Sequence, residues 1–291
     1  MTNPLVAELV ELLGLERLEL NLFRGQSRDI GTRVVFGGQV LGQALSAAQQ
    51  TVDSERSAHS LHAYFLRAGD MEAPIVYNVE RTRDGGSFST RRVVAIQHGE
   101  QIFNSTVSFH KPQSGVEHQT DMPAVPGPDE LPARKVFSPE ELAKLPPKLQ
   151  RWFGNKGPFE MRRVEQRDDL NPGKLPPRQH VWFRLVDRIG DSPALHRSML
   201  AYASDFNLIG TAMLPHGISF LHRNVQVASL DHAMWFHRPF RVDEWLLYAC
   251  DSPTAQDARG LARGQVFSTD GRLVASTAQE GMIRVVEEQS A

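Results

Sequence analysis

A single cysteine, Cys250, in a chain of 291 residues leaves no internal disulfide framework and no Cys-x-x-Cys metal or redox site. Cys250 follows Leu246, Leu247 and Tyr248 in a strand-like run and reads as a small buried residue. Neither sign of charge dominates: 32 Lys and Arg face 34 Asp and Glu, a net charge of −2 with His neutral. Without a basic field, nothing in the composition draws nucleic acid or an anionic membrane surface. No apolar run is long enough to span a bilayer. Near the N-terminus, Leu5, Val6, Leu9, Leu12 and Leu13 look amphipathic, but Glu8 and Glu11 interrupt them, so a secretory signal is not expected. The end of the chain, Glu288-Gln289-Ser290-Ala291, is not the Ser-Lys-Leu peroxisomal address, and a cytoplasmic location is expected.

The common catalytic signatures are missing as well. Gly85-Gly86-Ser87-Phe88-Ser89 fails the G-x-S-x-G elbow at its last position. Gly37-Gly38-Gln39-Val40-Leu41-Gly42 is neither a dinucleotide fingerprint nor a P-loop, and no H-E-x-x-H occurs. No metal and no cofactor are therefore expected.

What is present divides the chain. With 41% hydrophobic residues it can bury a full core. Pro123, Pro126, Pro128, Pro132, Pro146 and Pro147 crowd a stretch unable to supply interior strands, so 114–154 reads as a linker between an N-terminal unit, 1–113, and a C-terminal unit, 155–291. Within that stretch, Ser138-Pro139-Glu140-Glu141 reads as N-cap, N1 proline and acidic first turn of a short helix.

The two flanking halves repeat one order. In the first, a helix-compatible run over 39–48 precedes strand-like runs at 60–67, 75–80, 88–96 and 101–109. In the second, a helix opens at Ser192-Pro193, and strand-like runs follow at 229–236, 245–249, 259–267 and 272–279. The turns His98-Gly99-Glu100 and Asp270-Gly271-Arg272 fall at matching places, as in a duplicated domain. Each half is read as one long helix followed by an antiparallel meander. A sheet must cover its apolar face, and the helix is the available cover. The expected fold class is α+β, a double hotdog of two fused helix-wrapped antiparallel sheets.

Three segments of the second half place polar residues where a core pattern does not want them. Asp205 sits late in a helical stretch among Leu200, Tyr202, Phe206 and Leu208. A carboxylate there is costly unless solvated or hydrogen-bonded, so it is either a helix-end residue bonding nearby backbone or a functional group. Ser229 can be an ordinary strand hydroxyl, and Gln279 can be a surface residue near a strand end; equally, an amide offers a donor and an acceptor suited to holding a water. Asp231-His232 suggests an acid–base pair, but adjacent strand residues face opposite ways. His232 and His237, five apart, also fall on opposite faces and make a poor metal pair. Trp235 and Phe236 read as core.

At these residues the sequence resembles the acyl-CoA thioesterase II family, over nearly the whole chain. The anchors are Phe36-Gly37-Gly38-Gln39-Val40-Leu41-Gly42-Gln43-Ala44, His62-Ala63-Tyr64-Phe65-Leu66, Ser204-Asp205-Phe206, Pro215-His216-Gly217, the run from Asp231 to Pro239, and Gln279-Glu280-Gly281. The resemblance implies a double hotdog that hydrolyses medium- to long-chain acyl-CoA, with Asp205, Ser229 and Gln279 as the catalytic trio. Relatives often carry Thr at the hydroxyl position, and Ser229 keeps the hydroxyl. Asp205 is expected to activate a water that Ser229 and Gln279 orient. Backbone N–H groups of Gly37, Gly38 and Gln39 are the expected oxyanion donors. In the first half Val107 falls opposite Gln279, Ser60 opposite Ser229 and Ser46 near Asp205, so one active constellation per chain is expected. The substrate is the expected small-molecule partner, and a homo-oligomer is expected.

Overall fold

The computed structural model describes residues 3–32, 34–133, 137–143, 147–154, 157–168 and 172–286. The first half runs α1 (Pro4–Leu13), β1 (Glu16–Glu19), β2 (Leu22–Gly25), α2 (Gly37–Gln49), β3 (Ser57–Phe65), β4 (Ile75–Asp84), β5 (Phe88–Gln97) and β6 (Glu100–His110). Between the halves lie a 3-10 turn at Pro128–Glu130 and the short helices α3 (Pro139–Ala143) and α4 (Pro147–Gly154). The second half runs β7 (Phe159–Arg163), β8 (Arg178–Leu185), α5 (Pro193–Ser204), α6 (Leu208–Met213), β9 (Val225–Ser229), β10 (Asp231–Phe236), β11 (Leu246–Gln256), β12 (Arg259–Ser268) and β13 (Leu273–Val285).

The strands form one antiparallel sheet whose order is a palindrome of the two halves: β1-β2-β4-β5-β6-β3 meets β10-β13-β12-β11-β8-β7, with β9 also on β13. The seam is the β3–β10 pair, where Ser60 faces Trp235 and Tyr64 faces Asp231. Each half curls round its own helix, which is the α+β double hotdog. The inward residues alternate as a half-buried sheet requires: Val79, Val93, Phe103 and Val107 in the first half, Tyr248, Val266 and Ala275 in the second.

Each half departs from the expected helix-then-meander: a pair of strands precedes the long helix, α1 precedes those strands in the first half, and α6 follows α5 in the second. β1 is Glu-Arg-Leu-Glu and exposed throughout, so it carries no apolar alternation to read. The short linker helix forms at Pro139 as expected, closed by a reciprocal pair of bonds: Glu141 N donates to Ser138 Oγ (3.1 Å) and Ser138 N to Glu141 Oε2 (2.8 Å).

The two long helices pack antiparallel in unusually close contact. A Cβ on Gly38 would stand 2.2 Å from the Tyr202 carbonyl oxygen, and one on Gly42 2.9 Å from that of Ser198. At the other end Gln49 Nε2 reaches Ala194 O (3.1 Å) and Ser198 Oγ (3.0 Å). The glycines are thus there to let backbone meet backbone. This brings the first turn of α2 against the last turn of α5, where the helix breaks at Asp205 before restarting as α6.

Candidate active site

Asp205 caps the C-terminus of α5, its backbone N–H donating to Ala203 O. Gln279, on β13 and 1% exposed, donates Nε2–H to Asp205 Oδ1 at 2.7 Å and to Ser229 Oγ at 2.9 Å. Ser229, the last residue of β9, lies 3.5 Å from the same Oδ1. The three residues singled out in the sequence are therefore in mutual contact. The amide orientation follows from its partners, since a reversed amide would set Oε1 against a carboxylate oxygen. Oriented this way, Gln279 Oε1 is buried with no hydrogen-bond partner among the described residues.

A bulge aims the hydroxyl. β9 pairs Ser229 with Gly281, whereas β10 pairs Ala233 with Ala278, so one extra residue is inserted between them. The inward parity flips there: Val225, Val227 and Ser229 share a face, then His232, Met234 and Phe236. Asp231 fills the disrupted ladder, its Oδ1 accepting the Glu280 N–H at 2.6 Å. His232, on the opposite face, has Nε2 3.0 Å from Ser204 Oγ, and burial pushes its pKa down to about 3, so it is neutral. Asp231 and His232 do not form an acid–base pair. His237 bonds Ser276 Oγ on the outer face at 2.8 Å, away from His232. Trp235 also faces outward, edge-on to His62, and is not core; Phe236 is. Cys250 is buried, as expected.

The first half completes the cluster. A Cβ on Gly37 would lie 2.6 Å from Asp205 Oδ2 and 3.1 Å from the Phe65 ring, so the carboxylate rests on the glycine itself. The Gly38 N–H is directed at the same carboxylate. Gln39 is not available as an oxyanion donor: its N–H goes to Phe36 O (3.0 Å), its Nε2 to Gln26 O (3.2 Å), and its Oε1 accepts from Arg28 N (3.1 Å). Phe36, stacked on Phe206 at 4.7 Å and edge-on to Tyr202 at 5.2 Å, walls the site.

These surroundings set the charge of Asp205. Burial pushes its pKa up, to about 6, against hydrogen bonds from Gln279, Gly38 and Ser229 that favour the anion. The N-terminus of α2 favours the anion, and the C-terminus of α5, which Asp205 caps, opposes it. The result is a carboxylate still ionised at neutral pH and more basic than a solvated one, which suits a general base. Among the described residues no group of three or more His, Cys, Asp or Glu is placed to hold a metal ion. No helix of the described residues is long and apolar enough to cross a membrane.

Residues 24–110 match the family model of the acyl-CoA thioesterase N-terminal domain, and 150–282 match that of acyl-CoA thioesterase. The chain is 44% identical to acyl-CoA thioesterase 2 of Haemophilus influenzae over 98% of its own length and all of that protein's. It belongs to the acyl-CoA thioesterase family. Human acyl-coenzyme A thioesterase 8 is 42% identical, with 94% of this chain and 88% of that one covered. The crystal structure of the acyl-CoA thioesterase II TesB2 from Mycobacterium marinum superposes with a TM-score of 0.78 at 47% identity, covering 94% of this chain and 97% of that one. A hot dog fold protein from Alicyclobacillus acidocaldarius, 20% identical with a TM-score of 0.74, shares the fold over 95% of this chain and 98% of its own. As a member of this family the chain is a thioester hydrolase acting on acyl-CoA.

Proposed function

We propose that the chain hydrolyses medium- to long-chain fatty acyl-CoA to free acid and CoA by direct attack of water. The observation that supports attack by water is the bonded cluster of Asp205, Gln279 and Ser229 with an elevated carboxylate pKa. Asp205 takes a proton from the water as it attacks. Gln279 Oε1 accepts the water's other hydrogen, and Ser229 and the Gln279 amide nitrogen hold the carboxylate in place. The thioester carbonyl becomes a tetrahedral oxyanion, stabilised at the first turn of α2 with the Gly37 N–H as donor. Collapse expels the CoA thiolate, a good leaving group, so no strong acid is required. Residues 1–113 and 155–291 act as two hotdog units joined by 114–154. Only the second supplies the trio, and the first contributes walls and the helix N-terminus. The cytoplasm and a homo-oligomeric state complete this reading.

Thiol release from acyl-CoA tests the reaction. A single turnover in oxygen-labelled water, with enzyme in excess, tests the nucleophile. Label appears in the acid in the first turnover, and rapid acid quench finds no acylated protein. Unlabelled acid with label left on Asp205, or an acyl-Ser229 species formed and consumed at the catalytic rate, refutes direct attack by water.

A further inference from the structure

The catalytic cluster stands at the head of an apolar strip that the chemistry has not used. Beyond Gln279, the next inward residues of β13 are Gly281 and Ile283. Beyond Ser229, those of β9 are Val227 and Val225. The register sets Ser229 beside Gly281 and Val227 beside Ile283, so the two rows form one surface. Helix α6 lies across it. Ala212, Met213, Val225 and Ile283 are buried there, with Ile209, Ile218 and Val227 packed against them, in a cluster separate from the main core.

The strip fits its roof through missing side chains. Ile209 Cδ1 lies 2.3 Å from where a Cβ on Gly281 would stand, and Ala212 Cβ 2.7 Å from one on Gly260. Ile209 therefore fills the notch immediately past the amide and hydroxyl of the site. The first turn of α6 is tethered from behind, because Gln179 Nε2 donates to Thr211 Oγ1 (2.7 Å) and to Asn207 O (2.9 Å). The group free to yield is the Ile209 side chain, not the helix backbone. The direction between α2 and α5 is closed by the backbone contacts of Gly38 and Gly42.

We propose that this strip is the acyl-chain subsite and that Ile209 sets the chain length it admits. The inference rests on Asp205, Ser229 and Gln279 being the reacting centre. A chain entering past Gln279 displaces Ile209 from above Gly281 and lies along Val227 and Ile283 toward Val225 and Met213. Ser229 to Val225 spans four strand steps, ~14 Å, which accommodates a medium-length tail in extended form. Its occupant is fixed by continuity: the strip begins where the thioester carbonyl must stand, and it offers apolar contact only.

The test is a chain-length series on the full-length protein. Butyryl-, octanoyl- and dodecanoyl-CoA are turned over by wild type, Ile209→Ala and Val225→Phe, and the dodecanoyl-to-butyryl ratio of kcat/KM is read for each. Ratios within one preparation do not depend on the fraction folded. Ile209→Ala raises the ratio by about tenfold, roughly what two additional buried methylenes contribute. Val225→Phe, which overfills the far end, lowers it by at least as much, and Ile209→Val falls between Ile209→Ala and wild type. Unchanged ratios in both variants, or shifts of the same sign, overturn the subsite. Wild type inactive on all three substrates would remove the proposed reaction itself, a different outcome.

Discussion

Replacing Asp205 by Asn should make the protein both nearly inactive and more stable at neutral pH. The folded carboxyl has a pKa of about 6, whereas an unfolded aspartate sits near ~3.9. The folded form thus binds the proton more tightly, and keeping Asp205 ionised at pH 7 costs about 3 kcal/mol of folding free energy. The sign is fixed by linkage. Between pH ~4 and about 6 the native state holds a proton that the unfolded state has lost, so this group lowers stability as pH rises through that window. Asparagine carries no charge to bury. The asparagine can keep its carbonyl oxygen where Oδ1 stands, so the bonds from Gln279 Nε2 and Ser229 Oγ survive the substitution. The variant should melt several degrees above wild type at pH 7, and the gap should close by pH ~4. Its kcat should fall by ~10²–10⁴, the usual contribution of a general base. Wild-type kcat/KM should drop about tenfold per pH unit below about pH 6 and be flat above. Scanning calorimetry across pH, with thiol-release kinetics, measures all of this. A variant that melts at or below wild type at pH 7, with a gap that ignores pH, refutes the account of a carboxylate whose charge is held against partial burial.

Gly37→Ala places a methyl 2.6 Å from Asp205 Oδ2, so the carboxylate must shift. Thiol release should fall at least tenfold with the melting curve little changed, and wild-type kinetics would show that the close approach is unimportant. Gln279→Ala removes a bond that favours the anion, so the acid limb of the pH–rate profile should move above about 6, with a smaller loss of kcat than in Asp205→Asn. Ser229→Thr should stay active while Ser229→Ala is slowed; equal rates for both and wild type would remove the hydroxyl from the mechanism. Incubation with a strong chelator should leave activity unchanged, and stoichiometric zinc lost together with activity would contradict this.

The strands with β-branched alternation and tight turns were legible in the sequence, because that pattern is imposed by burial on one face. The N-caps at Ser138 and Ser192 were legible because proline at N1 follows a hydroxyl. The pairs β1–β2 and β7–β8 were not: β1 is exposed and charged, and the apolar run of β8 lies behind a proline cluster. The site was legible as residue types, since Asp205 and Gln279 break the apolar pattern around them. Their meeting was not, because it depends on a helix break at Asp205, a one-residue bulge after Ser229 and a glycine-lined helix contact with the other half. The bond that takes up the Gln39 N–H, to Phe36 O, depends on how the chain turns into α2, which no local pattern specifies.

The duplication explains why one half should work and the other not. Gln279 of β13 stands opposite Ala262 of β12; the matching Val107 of β6 stands opposite Arg91 of β5. Arg91 is 1% exposed. Its Nε donates to Thr51 Oγ1 (2.9 Å), Nη1 to Arg83 O and Thr90 O (both 3.0 Å), and Nη2 to Thr51 O (3.0 Å) and Asp84 Oδ1 (2.6 Å). A guanidinium has five N–H donors, and these bonds engage all of them. Thr51 lies just past the end of α2, as Asp205 ends α5, whereas Ser46 is turned away, its hydroxyl on Leu13 O. A buried, saturated cation thus fills the place where the second half keeps a carboxylate and an amide with a spare oxygen. Restoring the amide alone, by Val107→Gln in an Asp205→Asn background, should therefore recover no thioesterase activity: it adds a water-holder with no base beside it. Turnover by that double variant above the Asp205→Asn level would show that the first half retains a base this geometry does not contain.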